Sequence, residues 1–255
     1  MTDHDRDLAT AFDEQAAQFE RASVRSNPAA LARLLQMASL PAGGRILDAG
    51  CGPGLVSEAL LQAGYQVVGV DLSAEMIARA RKRCARFGER ALFEQKSIFD
   101  ASLIGPFDGT LSRLVLHHTT DPAAFLRRQV ELLRPGGVVM ACDHTTDPDS
   151  ARADWHQRIE RDRDRTHTRS LTAGQLIDLL AGAGVTDLRL TEEPLELDFD
   201  EWFDRGTPVE DKETVRRLLL SGPSARGFHP RRMEDGRVRI EGWLALVRGV
   251  KPTLG

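Results

Sequence analysis

The sequence predicts an α/β protein built around a parallel sheet. Three observations predict it. From Arg45 onward, short apolar strands alternate with amphipathic helices. A glycine cluster, Gly50-Cys51-Gly52-Pro53-Gly54, joins the first of these strands to the helix that follows. After the second strand, the segment 73–87 carries Met76, Ile77, Ala80, Cys84 and Phe87 on one helical face. Strands that alternate with helices pair in parallel through right-handed crossovers.

Residues 5–40 read as two helices divided near Ser26-Asn27-Pro28. Phe12, Ala16 and Phe19 recur at helical spacing, and Pro28 suits a first helical position. These helices either cover a pocket or lie on the surface. RILDAG (45–50) is a strand, GLVSEALLQAG (54–64) a helix ended by Gly64, and YQVVGVD (65–71) a second strand. Ser73 is placed to cap the next helix. ALFEQ (91–95) reads as a third strand and FDGTLSRLVL (107–116) as a fourth. The following helix starts with Asp121 as N-cap and Pro122 at its first position, and Pro135-Gly136-Gly137 is read as its stop. VVMACDH (138–144) is a fifth strand. Residues 147–168 are charged and helical, and TAGQLIDLLAGAG (172–184) is amphipathic. TDLRLTEEPLELD (186–198) contains a strand, whereas DEWFDRG (200–206) and PVEDKETVRRLLLSG (208–222) read as helices outside the sheet. RVRIEGWLALVRG (237–249) alternates as a strand, paired with FHPRRM (228–233) across Glu234-Asp235-Gly236. No linker divides the chain. One domain over 1–255 is expected, with an N-terminal helical cap (1–40), a core (41–145), and pocket, lid and closing strands (146–255).

Composition narrows the function. Lys+Arg 34 against Asp+Glu 38 leaves a net charge of −4, so no basic field recruits nucleic acid or anionic lipid. No apolar run approaches the roughly 20 residues of a membrane span. The start, MTDHDRDLATAFDEQ, lacks the basic and apolar regions of a secretory signal. Cysteines at 51, 84 and 142 are odd in number and form no disulfide framework. A soluble, cytoplasmic protein is expected, as a monomer or homodimer, with no nucleic-acid or membrane partner.

The chemistry concentrates at Asp48-Ala49-Gly50-Cys51-Gly52-Pro53-Gly54. Glycines between strand and helix let backbone approach a ligand closely, and ligands bind at the carboxyl ends of strands in open α/β sheets. A dinucleotide fingerprint needs G-x-G-x-x-G, but Leu55 stands at its third glycine; a P-loop needs G-K-[ST], which is absent. Asp71 ends the second strand about 20 residues beyond Gly50, where a carboxylate can accept from both hydroxyls of a ribose. The lesser alternative is an anion beside the next helix N-terminus, next to Ser73. Together these features suit a nucleoside-bearing ligand without a demanding phosphate, a shape that S-adenosylmethionine has.

LDAGCGPG, VGVDLSAEMIARAR, FDGTLSRLVLHHTTDPAAFLRR and LLRPGG, in that order, resemble the class I S-adenosylmethionine-dependent methyltransferases. The similarity is greatest to bacterial small-molecule enzymes related to ubiquinone and menaquinone C-methyltransferases, over about residues 40–145. The resemblance implies a Rossmann-like, seven-stranded, mostly parallel sheet with an antiparallel last strand, N-terminal helices and C-terminal helical lid insertions. It implies that Asp48, Gly50, Gly52 and Gly54 wrap the methionine part of the cofactor and that Asp71 holds the ribose. Leu72 and Met76 would then pack near the adenine, although Met76 fits the helix core as well. The family's adenine-binding acid is replaced by Ser97, followed by Ile98, with Asp100 as a substitute from the loop. Ser112 and Arg113 align near the cofactor's amino-acid end and its methyl.

Methyl transfer from a sulfonium needs proximity, orientation and a dry cavity, plus a base when the acceptor must lose a proton. His117, His118 and His144 follow strands at the cofactor edge and are the candidate bases. Phe12, Phe19, His167 and Arg169 are candidate substrate contacts, with Trp155, Trp202 and Phe203 as further lining; Trp243 is expected to pack on the sheet. The run 158–165 mixes signs and reads first as a solvated helix face with i,i+4 pairs, or else as presenting Arg165 to an anionic acceptor. His117, His118, Asp143 and His144 show no H-x₃-H or C-x₂-C spacing, so no metal is expected. The expected activity is O- or C-methylation of a small metabolite. Methylation of RNA or protein, and non-methyl chemistry on the same fold, stand as alternatives.

Overall fold

The structure is a computed structural model that describes residues 2–21 and 28–253. The side chains of residues 17–21 lie outside the described set, Phe19 among them, as do residues 22–27, where the first two helices were expected to divide. Two helices, α1 (Asp3–Arg21) and α2 (Pro28–Ala38), precede the sheet. The alternating part follows as β1 (Arg45–Ala49), α3 (Leu55–Gln62), β2 (Gln66–Asp71), α4 (Ala74–Cys84), β3 (Ala91–Gln95), β4 (Phe107–Arg113), α5 (Pro122–Glu131) and β5 (Leu133–His144). The remainder comprises α6 (Ser150–Arg163), α7 (Ala173–Gly182), β6 (Thr186–Asp198), α8 (Phe199–Asp204), α9 (Lys212–Ser221), β7 (His229–Arg232) and β8 (Val238–Val250).

The sheet runs β3-β2-β1-β4-β5-β8-β6, with β7 paired to β8. Strands β1 to β5 are mutually parallel, and β8 runs antiparallel to both β5 and β6. Seven strands are the expected set. The eighth, β7, is the short hairpin partner read from FHPRRM, with His229 opposite Glu241 and Arg232 opposite Val238.

Local chemistry accounts for most boundaries. Ser73 Oγ accepts from Met76 N at 3.0 Å and Asp121 Oδ1 from Ala124 N at 2.8 Å, capping α4 and α5. Several ends differ from expectation; the helix read over 147–168 spans only Ser150–Arg163. Helix α5 stops at Glu131 rather than at Pro135-Gly136-Gly137, because strand pairing captures that segment. Leu133 pairs with Phe107, while Gly136 and Gly137 exchange backbone hydrogen bonds with Lys251 at 2.9 Å. Strand β4 ends at Arg113 because Leu114 turns to φ 59°, and Leu116–His118 then form a 3₁₀ turn.

Apolar burial divides among separate clusters. One side of the sheet packs Leu47, Val70, Leu126 and Val139 with Leu176 and Leu180 of α7. The other packs Ile46, Leu111 and Met140 with Leu34, Leu60 and Ile77. A third cluster, Phe199, Trp202, Phe203, Val215 and Phe228, belongs to the C-terminal part. No described helix is long and apolar enough to cross a membrane.

Candidate functional site

At the carboxyl ends of β1, β2 and β4 lies a cleft of about 1260 Å³, its open mouth included. Gly50 and Gly52 form its floor. Gly50 takes φ 75°, and a β-carbon there would stand 2.6 Å from Val115 Cγ2. Only glycine allows this left-handed approach of the turn to the β4 loop. Both Gly50 N and Cys51 N donate to Val70 O, locking the turn onto β2. Gly52 also has positive φ (52°), yet a β-carbon there would meet no atom within 4 Å. That open backbone is the surface a bound ligand can approach. Gly54 is the N-cap of α3 and does not line the cleft.

Two carboxylates face this turn. Asp48 is buried and accepts from Ser57 Oγ at 2.6 Å. Burial pushes its carboxyl up to about 6, against the Ser57 hydrogen bond. Asp71 accepts from Ser73 N and Gly52 N, both at 2.9 Å. Burial raises it as well, and those amides oppose the rise. A carboxylate has about four acceptor directions, so each oxygen of Asp71 retains capacity for a hydroxyl. The charge of Arg113 acts on Asp48 and opposes its rise, and the remaining acceptor capacity of the two acids suits a ligand that brings hydroxyls and a cationic group.

The other walls assemble most of the expected residues. Leu72, Met76, Ser97, Ile98 and Arg113 line the cleft. Ser112 does not: it is buried behind the wall and accepts from Gln129 Nε2 at 3.0 Å. Asp100 turns away to accept from Ser102 N and Oγ at 2.8 and 2.6 Å. Helix α1 forms a further wall with His4, Leu8 and Phe12, and Phe12 meets the His118 ring edge-on at 5.0 Å. Asp13 fastens α1 by accepting from Ser73 Oγ and from Glu75 N. His4 Nε2 donates to His118 O at 2.7 Å. The residues not anticipated include His4, Leu8, Phe99, Val115 and Thr119. Val115 and Thr119 flank the histidine pair in sequence, which is the signal that would have found them.

The three candidate bases separate. His118 lines the cleft, and its Nδ1 donates to Thr166 O at 3.2 Å, which leaves the neutral ring's lone pair on Nε2. His117 and His144 lie behind it, the His117 ring 4.1 Å from each of the other two. His117 Nδ1 donates to Asp143 Oδ1 at 2.7 Å, and Asp143 also accepts from the amides of His117 and His144. Burial holds His117 well below the usual imidazole range, reinforced by His118 and His144; burial lowers His144 too, although Asp143 opposes it.

None of the described residues lining the cleft comes after Phe125. The C-terminal part therefore backs the site rather than lining it. His167 is buried, bonded through Nε2 to Gln157 Oε1 at 2.7 Å, and burial depresses it to about 3. Arg169 lines a separate polar depression beside Asp147, Arg161 and Gln175. Trp202 and Phe203 fill the third apolar cluster, with Trp155 packed against it. Trp243 carries the Arg226 guanidinium 5.2 Å above its ring. The charged run is only partly a solvated face. Arg158 and Asp162 stand as an i,i+4 pair at 3.8 Å, but Glu160, Arg163 and Asp164 are buried. Arg163 donates through Nε and Nη2 to Trp202 O at 2.9 and 2.7 Å, so the segment turns inward onto α8. Arg165 stands 3.8 Å from Glu14 of α1.

An open, mostly parallel sheet with antiparallel C-terminal strands, a glycine turn at its ligand edge and an acid ending β2 define a protein with the class I S-adenosylmethionine-dependent methyltransferase fold. Residues 19–190, more than half of the chain, match the family described as "Methyltransferase domain", and the chain belongs to that family. S-adenosylmethionine is the cofactor of this class. A curated relative, the ubiquinone biosynthesis O-methyltransferase of Xanthomonas axonopodis pv. citri, is 39% identical over 99 residues, 38% of this chain and 41% of that protein. The chain thus matches less than half the length of that relative. Among solved structures, a candidate methyltransferase from Bacillus halodurans C-125 aligns with TM-score 0.78 and 26% identity, over 88% of this chain and all of its own. The YcgJ protein from Bacillus subtilis aligns with TM-score 0.79 and 22% identity, over 89% and 100% respectively, and speaks to the fold alone.

Proposed function

We propose that the protein transfers a methyl group from S-adenosylmethionine to a small-molecule acceptor, by O- or C-methylation. The observation that carries this reading is one continuous cleft. In it the glycine turn and Asp71 face a largely apolar wall that carries two histidines, His118 and, from α1, His4, whose Nε2 is engaged by His118 O. The cofactor supplies a methyl already activated on a sulfonium, so the protein's work is binding, orientation and exclusion of water.

In this reading the backbone of Gly50 and Gly52, with Asp48 and Arg113, holds the amino-acid end. Asp71 accepts from the ribose, and Leu72, Met76, Ser97 and Ile98 form the base pocket. Gly54 and Ser112 act indirectly, by starting α3 and by bracing the end of β4. His118 Nε2 takes the acceptor's proton, while His117 and Asp143 behind it fix the wall. Leu8 and Phe12 of α1 shield the reacting atoms, so residues 1–40 act as the cap. Residues 146–253 support the cleft from behind, and Thr166 O sets the orientation of His118. A cleft closed by a helix, together with a net charge of −4, favours a small acceptor over RNA or a protein surface. A cytoplasmic location accords with such a metabolic role.

Incubation with isotopically labelled S-adenosylmethionine and a metabolite extract tests the reading, followed by mass-spectrometric search for added methyl. The expected result is a labelled small molecule. His118→Ala should lower turnover at least tenfold and leave S-adenosylhomocysteine affinity unchanged; an equal loss of both would make His118 a structural residue instead.

A further inference from the structure

Behind the cleft wall, side chains from four parts of the chain converge without entering the cleft: His117 after β4, Asp143 and His144 at the end of β5, His156 and Glu160 of α6, and His167. Two trios among them bring one ligand atom each within 4.8 Å of one another, namely His117/Asp143/His144 and His144/His156/Glu160. The trios differ in what already occupies their atoms. In the first, His117 Nδ1 and Asp143 Oδ1 are joined by a 2.7 Å hydrogen bond. In the second, His156 Nε2 stands 3.6 Å from Glu160 Oε1, too far for a good hydrogen bond.

That separation suits two ligands of one ion, because N and O donors about 2.0–2.2 Å from a metal sit roughly 3.3–3.6 Å apart. His156 and Glu160 are four residues apart on α6, which puts both on one face of the helix. His156 is fully buried, and its Nε2 has no hydrogen-bond partner among the described atoms. Such an atom is costly to leave bare.

The outer contacts orient the same atoms. His156 Nδ1 meets Thr146 Oγ1 at 2.9 Å, and His144 Nδ1 meets Ser170 Oγ at 3.2 Å. In each ring the hydroxyl occupies Nδ1, which leaves Nε2: that of His156 is the unpartnered atom, and that of His144 stands 3.9 Å from Asp143 Oδ1. The second oxygen of Glu160 lies 3.7 Å from Arg163. His167 Nδ1 is also buried and unpartnered, but its ring centre stands 6.3 Å from that of His144 and it lies outside the trio.

The geometry points to a site for a divalent transition-metal ion, with Zn²⁺ as its natural probe, held by His144, His156 and Glu160 and clipping α6 to the end of β5. Two imidazoles and a carboxylate prefer such an ion to Mg²⁺, which favours oxygen ligands and retained water. The ion would tie the backing element of the cleft to the sheet. It stands apart from the methyl-transfer reading, since no proposed ligand lines the cleft.

The test strips the full chain with a chelator and titrates it with Zn²⁺ and, separately, Mg²⁺, measuring metal retained after gel filtration. One Zn²⁺ per chain and no retained Mg²⁺ is expected, with a rise in melting temperature on zinc addition. Co²⁺ in place of zinc should give the visible absorption of a protein-bound ion, a readout that needs no variant. Glu160→Gln, checked for fold by circular dichroism, should weaken zinc binding at least tenfold. Three results would each overturn the assignment: no retained zinc with only aqueous-type Co²⁺ absorption, unchanged zinc affinity in folded Glu160→Gln, or a loss confined to Asp143→Asn.

Discussion

The two halves of the molecule build their interiors by opposite means. The β1–β4 edge makes its cleft largely from backbone: a turn of glycines, amides aimed at Asp71, and a helix cap at Ser73. The part after His144 instead buries charged and imidazole side chains. Arg163, Glu160 and Asp164 lie inside, with His156 and His167 beside them. Backbone sites are specified by a few contiguous residues and tolerate little change in them. Side-chain networks are specified by contacts across long sequence separations, and they fail when one partner is removed. The difference predicts distinct responses to mutation: loss of ligand in the first half, loss of fold in the second.

Arg163→Ala should have the largest effect. It strands two buried carboxylates and removes both hydrogen bonds to Trp202 O, so stability should fall by about 3–5 kcal/mol in chemical denaturation. Affinity for S-adenosylhomocysteine should be unchanged where the variant remains folded; a selective loss of affinity would erase the distinction between the halves. Gly50→Ala comes next. Its β-carbon would stand 2.6 Å from Val115 in a left-handed conformation, so a cost of about 1–3 kcal/mol is expected together with a loss of ligand binding of tenfold or more. Unchanged binding would mean that the turn is not the cofactor floor.

Asp71→Ala sharpens the comparison further. Binding should weaken tenfold or more, about 1.4 kcal/mol or above, with a smaller change in stability. The gentlest probe is pH. In the ligand-free protein, burial raises Asp48 from 3.8 to about 6, so folding takes up a proton between those values. The contribution of Asp48 to stability therefore falls as pH rises through that window. Binding a cationic ligand favours the ionised acid, so affinity should climb through about pH 6 and level off above it. Calorimetry across about pH 5 to 7 should show this slope in the wild type and a flattened one in Asp48→Asn.

What was legible in the sequence follows the same division. The glycine turn, Asp71, Ser73 and Asp121 announce themselves because each acts within a few residues of itself. The hairpin of β7 with β8 was legible for the same reason, since its turn residues are adjacent. The end of α5 was not, because pairing with Phe107 and Lys251 decides it from elsewhere in the chain. Nor was the inward turn of Glu160, Arg163 and Asp164 visible. A charged helix reads as solvated unless one knows that Trp202 O waits for Arg163. The His156-x₃-Glu160 spacing was in plain view, yet a search for paired histidines or cysteines passes over a histidine and a carboxylate.

Isothermal titration of the wild-type chain with S-adenosylhomocysteine decides whether the glycine cleft holds S-adenosylmethionine. Saturable, one-to-one binding is expected. An absence of binding by folded protein at ligand concentrations up to about 1 mM, an affinity no better than about −4.1 kcal/mol, would contradict it.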